Sequence, residues 1–330
     1  MNALVTGGGG FLGKAIVTRL VADGHAVTVL ARGAYPALEA LGARLARVDL
    51  ADADGVRRAA EGCDTIFHVA AKAGVWGRPA EFEATNVVGT RNVVAAARAA
   101  GVRRLVFTSS PSVVFDGADH IDAGPNLPYP SRYEAHYPRT KAEAERLALA
   151  ADGPELAVVA LRPHLIWGPE DPHLLPRIFA RARAGRLLGV GDGTNRVSVT
   201  YIDNAAAAHL QAAEALRPGG PVAGRAFFVN DPTPVVLWPW LDGLLGRLGL
   251  PRARGRVPLR VARALGGLCE ALWTAFPLPG EPPMTRFVAT QLATSHTYDV
   301  RPAVAAFGYA PPVGPDDAME RTVAWWRARL

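Results

Sequence analysis

The sequence predicts an α/β fold, a doubly wound parallel sheet with a smaller C-terminal lobe. Three observations carry this. Short apolar runs alternate with helix-length stretches rich in Ala and Arg through the first half. A glycine-rich turn follows the first of these runs. After Arg162 the alternation fades, and Pro and Gly become frequent. Buried strands separated by helices require right-handed crossovers, so the sheet is parallel and covered on both faces. In order, the strand candidates are Ala3 to Thr6, Ala26 to Leu30, the less regular Ala43 to Val48, Thr65 to Val69, Leu105 to Thr108 and Leu156 to Leu161. Ligands of such sheets bind at the carboxyl ends of the strands.

Beyond Arg162, the segments "LRPHLIWGPEDPHLLP" and "FPLPGEPPMT" mark the lobe. Helices are expected over Asp203 to Leu216, Trp238 to Leu248 and Val261 to Phe276. The chain thus divides into a sheet domain, 1–165 with 196–232 returning to it, and a lobe of 166–195 and 233–330. The Leu and Trp of the last two helices suit either ordinary packing or a wall for an apolar substrate. Their Leu, Trp and Arg content also suggests peripheral membrane contact.

With 330 residues, 49% hydrophobic and 20% charged, the chain can bury a large core, which excludes disordered and fibrous classes. Cys63 and Cys269 are too few for a disulfide framework or a cysteine-based zinc site, and they fit a reducing compartment. No basic segment and signal-peptide core precedes Ala3, and no uncharged apolar run reaches about 18 residues, so the expected location is cytoplasmic. The net charge of +6 raises nucleic acid as a partner. Its distribution argues otherwise, because arginines are spread along the whole chain and no basic tract carries interleaved aromatics. No metal site is expected, since His120, His136, His164 and His173 lack ligand spacing. A hydrolase reading finds no Gly-x-Ser-x-Gly elbow.

The first strand runs into "VTGGGGFLGKAIVTRL", which places Gly7, Gly10 and Gly13 at a strand-to-helix junction. Glycines let the backbone turn tightly and approach a pyrophosphate, and the helix opening near Gly10 aims free N–H groups at that anion. An acidic residue closing the second strand would bind the adenosine ribose hydroxyls of NAD. Instead the strand ends "VTVLARGAYP", with Arg32 where the 2′-phosphate of NADP needs a cation. Arg32 also reads as an ordinary solvated arginine. Asp49, in "RVDLAD" after the third strand, can accept from the adenine amino group.

"HYPRTKAEAERLALA" contains Tyr137-x-x-x-Lys141, which puts a phenol and an ammonium one helical turn apart on one face. Seven tyrosines and three lysines would form such a pair by chance only roughly 0.06 times in this chain. The ammonium is expected to lower the phenol's pKa, making Tyr137 an acid-base group. Pro138 is tolerated in the first turn. The strand ending "LVFTSSPSVVFDG" delivers Ser109 and Ser110 to the same sheet edge, where a hydroxyl can polarise a substrate carbonyl. A turn or capping role is the other reading of Ser110. Asn86, opening "NVVGTRNVVAAARAAG", reads equally as a helix N-cap and as part of a proton relay. Lys72, just after "HVAA", is a candidate cation for a substrate carboxylate, or a solvated loop lysine.

These segments, with "DTIFHVAA", "NVVGTRNVV", "LRPHLIWGP" and "VTYIDNAAAAHL" in order, resemble the extended short-chain dehydrogenase/reductases, a Rossmann-fold family, and within it the 3β-hydroxysteroid dehydrogenase-like branch. The resemblance spans nearly the whole chain. It implies a catalytic set of Ser110, Tyr137 and Lys141, the last also reaching the nicotinamide ribose. It places Gly7, Gly10, Phe11, Leu12 and Gly13 on the pyrophosphate, Asp49 and Leu50 near the adenine, Ala70 and Ala71 along the cofactor, and Pro163 near the nicotinamide; Arg32 and Ser109 join these as candidate cofactor contacts. Trp167 departs from the pattern, since sugar-nucleotide members carry Tyr there. That weakens a nucleotide-sugar epimerase or reductase reading and leaves Trp167 as a candidate substrate contact.

More narrowly, "PYPSRYEAHYPRTKAEAER", "LRPHLIWGPEDPHLLPR" and "GEPPMTRFVATQLATSH" are similar to the bacterial 2-alkyl-3-oxoalkanoate reductases of long-chain olefin and β-lactone biosynthesis. The resemblance implies NADPH-dependent reduction of the 3-keto group of a two-tailed β-keto acid, rather than use of NAD. It also implies a homodimer formed through two helices that include the Tyr137 helix, and assembly with a β-lactone synthetase and a β-lactone decarboxylase. Same-fold alternatives are an NAD-dependent 3β-hydroxysteroid or sterol-4-carboxylate dehydrogenase. A different class is a non-catalytic NADP-sensing protein, which would have no need of the Tyr137 and Lys141 pair.

Overall fold

The computed structural model describes residues 1–276 and 278–330; Pro277, in the Pro-rich stretch of the lobe, lies outside them. Among the described residues the main sheet has seven parallel strands: β1 (Asn2–Thr6), β2 (Ala26–Ala31), β3 (Arg44–Arg47), β4 (Thr65–His68), β5 (Arg104–Thr108), β6 (Ala157–Arg162) and β7 (Arg225–Phe228). Their spatial order is β3-β2-β1-β4-β5-β6-β7. The direction of winding therefore reverses between β1 and β4, and a crevice opens there at the carboxyl edge.

The strands are apolar on both sides, and their alternation sorts residues between two faces. Ala3 and Val5 of β1, Val106 of β5 and Val159 of β6 pack one way, against Ile16, Val17 and Leu20 of α1 (Phe11–Ala22) and the alanines of helix Ile202–Ala215. Leu4, Ile66, Leu105 and Val158 pack the other way, against Val93, Ala96 and Ala97 of α2 (Gly89–Ala99) and Ala144 and Ala148 of α3 (His136–Leu149). Small alanines let these helices approach the sheet closely.

The lobe shares this core. Trp167, Phe179, Val197, Trp238 and Leu244 belong to the same buried cluster as Val5 and Val17. A four-stranded sheet joins Val235–Val236, Arg196–Val197, His296–Tyr298 and His120–Ala123. His120–Ala123 lies within 1–165, so the first segment itself lends a strand to the lobe. The arrangement corrects the expectation for Trp167. Its ring is fully buried, edge-on to Tyr201 at 5.6 Å and to Trp240 at 4.9 Å, and it contributes packing in place of a substrate contact.

One charged pair fastens α3 to the sheet. Arg162, closing β6, donates to both carboxylate oxygens of Glu145, Nε to Oε2 at 2.9 Å and Nη2 to Oε1 at 2.6 Å. Its remaining Nη1 donates to the Pro125 carbonyl, and the Tyr129 hydroxyl donates to Glu145 Oε1 at 2.6 Å. Burial opposes ionisation of Glu145, yet Arg162 beside it holds the carboxyl below its ordinary range. Glu145→Ala strands a buried guanidinium, so an unfolding free energy lower by about 3–5 kcal/mol is expected in urea titration, with Glu145→Gln less damaging.

Candidate active site

The turn after β1 brings two loops into contact at the crevice. Gly7 has φ +68°, and a Cβ there would sit 2.7 Å from the Ala70 Cα, in the loop after β4. A Cβ on Gly13 would lie 2.2 Å from the Gly7 carbonyl oxygen, so the first turn of α1 packs directly on the glycine loop. Gly10 precedes α1 with extended backbone and no side-chain cap. The first-turn N–H groups of α1 are thus left for an anion in the crevice.

A cleft of about 480 Å³ runs from this point in both directions. Gly7, Gly10, Phe11, Leu12 and Gly13 line its middle, and Arg32, Asp49 and Leu50 line one end. Arg32 is largely exposed, with Nη1 3.9 Å from the Asp49 carboxylate. Ala70 and Ala71 line the wall across from the glycine loop, and Ser109, Ser110, Tyr137, Lys141 and Pro163 line the other end. Gly9, Tyr35 and Asp171, not singled out in the sequence, and His173, weighed there only as a metal ligand, also line the cleft. The Tyr35 ring lies where a Cβ on Gly9 would be, and the run of four glycines was the readable signal of that crowding. Asp171 accepts from the backbone N–H groups of Leu174 and Leu175, satisfying two of the free donors that open helix Leu174–Arg183.

At the catalytic end, α3 presents Tyr137 and Lys141 one turn apart. Lys141 is buried; its Nζ donates to the Thr108 carbonyl at 2.6 Å and stands 4.1 Å over the Phe107 ring. Burial lowers its pKa to about 7, against an opposing pull from Glu145 one turn further along α3. The expected lowering of the Tyr137 pKa by Lys141 does not occur. Burial pushes the phenol up instead, and the Ser110 hydroxyl beside it offsets this in part. The ammonium bonds to the Thr108 carbonyl, and burial is the larger effect at Tyr137. Ser110 also accepts from the Ser112 N–H at 3.2 Å, capping the turn Pro111–Val113, so the capping and cleft-lining readings hold together. Beneath Lys141, His68 bonds to Thr6 and Thr90 through its two ring nitrogens. Its burial, with Lys141 nearby, pulls its pKa to about 3, so it is neutral.

Two further expectations are corrected. Asn86 does not cap a helix; it sits in a π-helical turn, Glu83–Val88, within a helical stretch that starts at Pro79. Its amide accepts from Lys72 N and donates to Lys72 O and to Thr140 Oγ1, which spends it on tying the post-β4 loop to α3. Lys72 is not a free cation, since Glu81 takes its ammonium at 2.7 Å, and it does not line the cleft.

The glycine cradle and the uncapped helix end fit a dinucleotide lying along this cleft. Residues 4–259 match the 3-beta hydroxysteroid dehydrogenase/isomerase family. The chain belongs to that family. This 3-beta hydroxysteroid dehydrogenase/isomerase family member is 47% identical, over 326 residues, to the 2-alkyl-3-oxoalkanoate reductase of Stenotrophomonas maltophilia (strain K279a), covering 98% of this chain and 99% of that one. It is 34% identical over 328 residues to the decarboxylating sterol-4-alpha-carboxylate 3-dehydrogenase of Homo sapiens, covering 98% and 87%. Among solved structures it is similar to MoeE5 in complex with UDP-glucose and NAD, at 26% identity and a TM-score of 0.75 over 99% of both chains. The family member is therefore an NAD(P)-dependent oxidoreductase with the extended short-chain dehydrogenase/reductase fold.

Gly13→Ala places a methyl group against the Gly7 carbonyl, and a loss of about tenfold or more in nicotinamide cofactor affinity is expected in fluorescence titration. Lys141 yields a pH signature of its own. Unfolded, it keeps its proton up to the ordinary value of 10.5, whereas folded it releases it near 7. Between these values the unfolded chain binds more protons, so its contribution to stability rises with pH. Urea unfolding at neutral and alkaline pH should show this gain in the native protein relative to Lys141→Met.

Proposed function

We propose that this protein uses NADPH to reduce the 3-keto group of a long-chain 2-alkyl-3-oxoalkanoate, giving the 2-alkyl-3-hydroxyalkanoate of olefin and β-lactone biosynthesis. The observation that carries the reading is the convergence of Ser110, Tyr137 and Lys141 at one end of the glycine-lined cleft. The full-length identity to an enzyme named for this reaction supports the substrate class. Support for the phosphorylated cofactor comes from Arg32 at the far end of the cleft, with no acidic residue closing β2. A reduced nicotinamide bound along the cleft supplies the hydride that adds to the carbonyl carbon.

The protein's own residues manage the oxygen. Ser110 donates a hydrogen bond to the keto oxygen and orients it. The Tyr137 hydroxyl gives up its proton to that oxygen as the carbon–oxygen double bond becomes single, leaving an alcohol and a phenolate. Tyr137 is protonated at neutral pH, its pKa held above the ordinary value by burial, and the Ser110 hydroxyl beside it offsets that rise in part. The positive charge of Lys141 favours the phenolate left behind. Asn86 and the Glu145–Arg162 pair hold α3 in place from two sides.

Tyr137→Phe should cut turnover about 10²–10⁴-fold while cofactor binding persists. The assay that tests the reading follows reduced-nicotinamide absorbance with NADPH or NADH and a 2-alkyl-3-oxoalkanoate, beside NAD or NADP with a 3β-hydroxysteroid. Faster oxidation of NADPH with the alkyl substrate is expected, and Arg32→Ala should erase the preference over NADH. Turnover of the steroid alone would overturn the substrate assignment.

A further inference from the structure

Of the eleven large hydrophobic side chains exposed among the described residues, six lie on or just after one helix, α4 (Leu259–Ala275). They are Val261, Leu265, Leu268, Leu272, Phe276 and Leu278. At 3.6 residues per turn the first five fall within about 80° of one another, a stripe running the length of the helix. The opposite side carries the buried residues Ala262, Gly266 and Glu270 and packs on the segment around Thr285, where a Cβ on Gly266 would lie 2.6 Å from backbone. The helix is thus docked on the lobe by one face and presents leucines to the outside by the other.

The preceding helix Leu237–Arg247 does not share this property. Leu237, Trp238, Leu241, Leu244 and Leu245 are buried, which narrows the expected membrane-contact region to α4 alone. Charge complements the stripe. Arg260 in its first turn, and Arg252 and Arg254 in the segment leading into it, are exposed and form no ion pair with a carboxylate among the described residues. The nearby acids are spent, Glu134 on Arg263, Glu270 on Arg286 and Glu281 on Arg177. An apolar stripe with an unpaired arginine in the helix's first turn and others in the segment before it is the pattern of a helix lying in the plane of an anionic lipid surface.

We propose that α4 docks this protein on an anionic lipid surface. The flank of α4 beside the stripe opens on a second cavity of about 790 Å³, walled by Ala271 and Ala275 on the helix and by Trp76 and His136 opposite. His136 directly precedes Tyr137, so a chain leaving a lipid surface along α4 enters the protein next to the catalytic helix. That use of the docking rests on the alkyl-substrate reading, whereas the docking itself does not.

The test is co-sedimentation of the full-length protein with phosphatidylcholine vesicles, with and without phosphatidylglycerol. Binding to the anionic vesicles, weakened by salt, is expected. The Leu265→Glu/Leu268→Glu variant should lose about tenfold or more of that binding while turning over a soluble short-chain substrate at the native rate. A native protein that stays in the supernatant, or a variant that binds equally well, overturns the proposal. So does a sedimentation-velocity shift from dimer to monomer in the variant without vesicle binding by the native protein, which assigns the face to a second copy. Failure of the alkyl assay with vesicle binding intact would remove the substrate reading and leave the surface.

Discussion

The bidentate pair of Arg162 and Glu145 decides where the catalytic helix sits. Arg162 closes strand β6 and Glu145 lies one turn beyond Lys141, so the pair sets the height of α3 relative to the carboxyl edge of the sheet. Two buried charges are costly to desolvate, and the cost is offset only when their hydrogen bonds are satisfied. Here Tyr129 and the Pro125 carbonyl take up the remaining capacity, which draws the loop before α3 into the same network. A shorter side chain in either position would leave α3 held by alanine contacts and by the bonds of Thr140 to Asn86 and of Lys141 to Thr108.

The opposite end of the site is set by sterics. Gly7 and Gly13 admit no Cβ, and the loops after β1 and β4 touch where the sheet's winding reverses. The crevice is therefore a consequence of strand order, and the glycines are what let the backbone close it down to the width of a dinucleotide. Catalytic and phosphate-facing groups lie in one cleft because each is attached to the carboxyl end of a neighbouring strand. The electrostatics of that cleft depart from the simple picture of a lysine that acidifies a tyrosine. With Lys141 bonded to Thr108 and enclosed beside neutral His68, burial dominates both groups, raising Tyr137 and lowering Lys141. Tyr137 therefore stays protonated at neutral pH, as a weaker acid than free tyrosine.

Much of this was legible along the chain. All six expected strands of the first half occur within two residues of their expected ends, because a parallel sheet buries both faces of every strand and so writes continuous apolar runs. The glycine loop, Tyr137, Lys141 and Ser110 were readable because their chemistry demands fixed spacing at strand ends. Residues whose role depends on what crosses the fold were misread. Lys72 looked available until Glu81, nine residues on, folded back to it, and Asn86 looked like a cap because the helix before it is short and opens with Pro79. Trp167 stood in a motif position, but its neighbours Tyr201 and Trp240 come from distant segments.

The sequence by itself determined the strand order's raw material, the phosphate-binding turn and the acid-base pair, because each depends on residues within one or two turns of one another. Tertiary structure alone decided the protonation tendencies of Tyr137 and Lys141, the partners of Lys72 and Asn86, and which of two Leu-rich helices is buried. Leu237–Arg247 and α4 are both apolar in sequence, yet one is enclosed on its apolar side and the other exposes a stripe of leucines. Burial and ion pairing depend on what packs against a side chain, and those neighbours come from other segments: Glu81 for Lys72, Thr140 for Asn86 and Thr108 for Lys141.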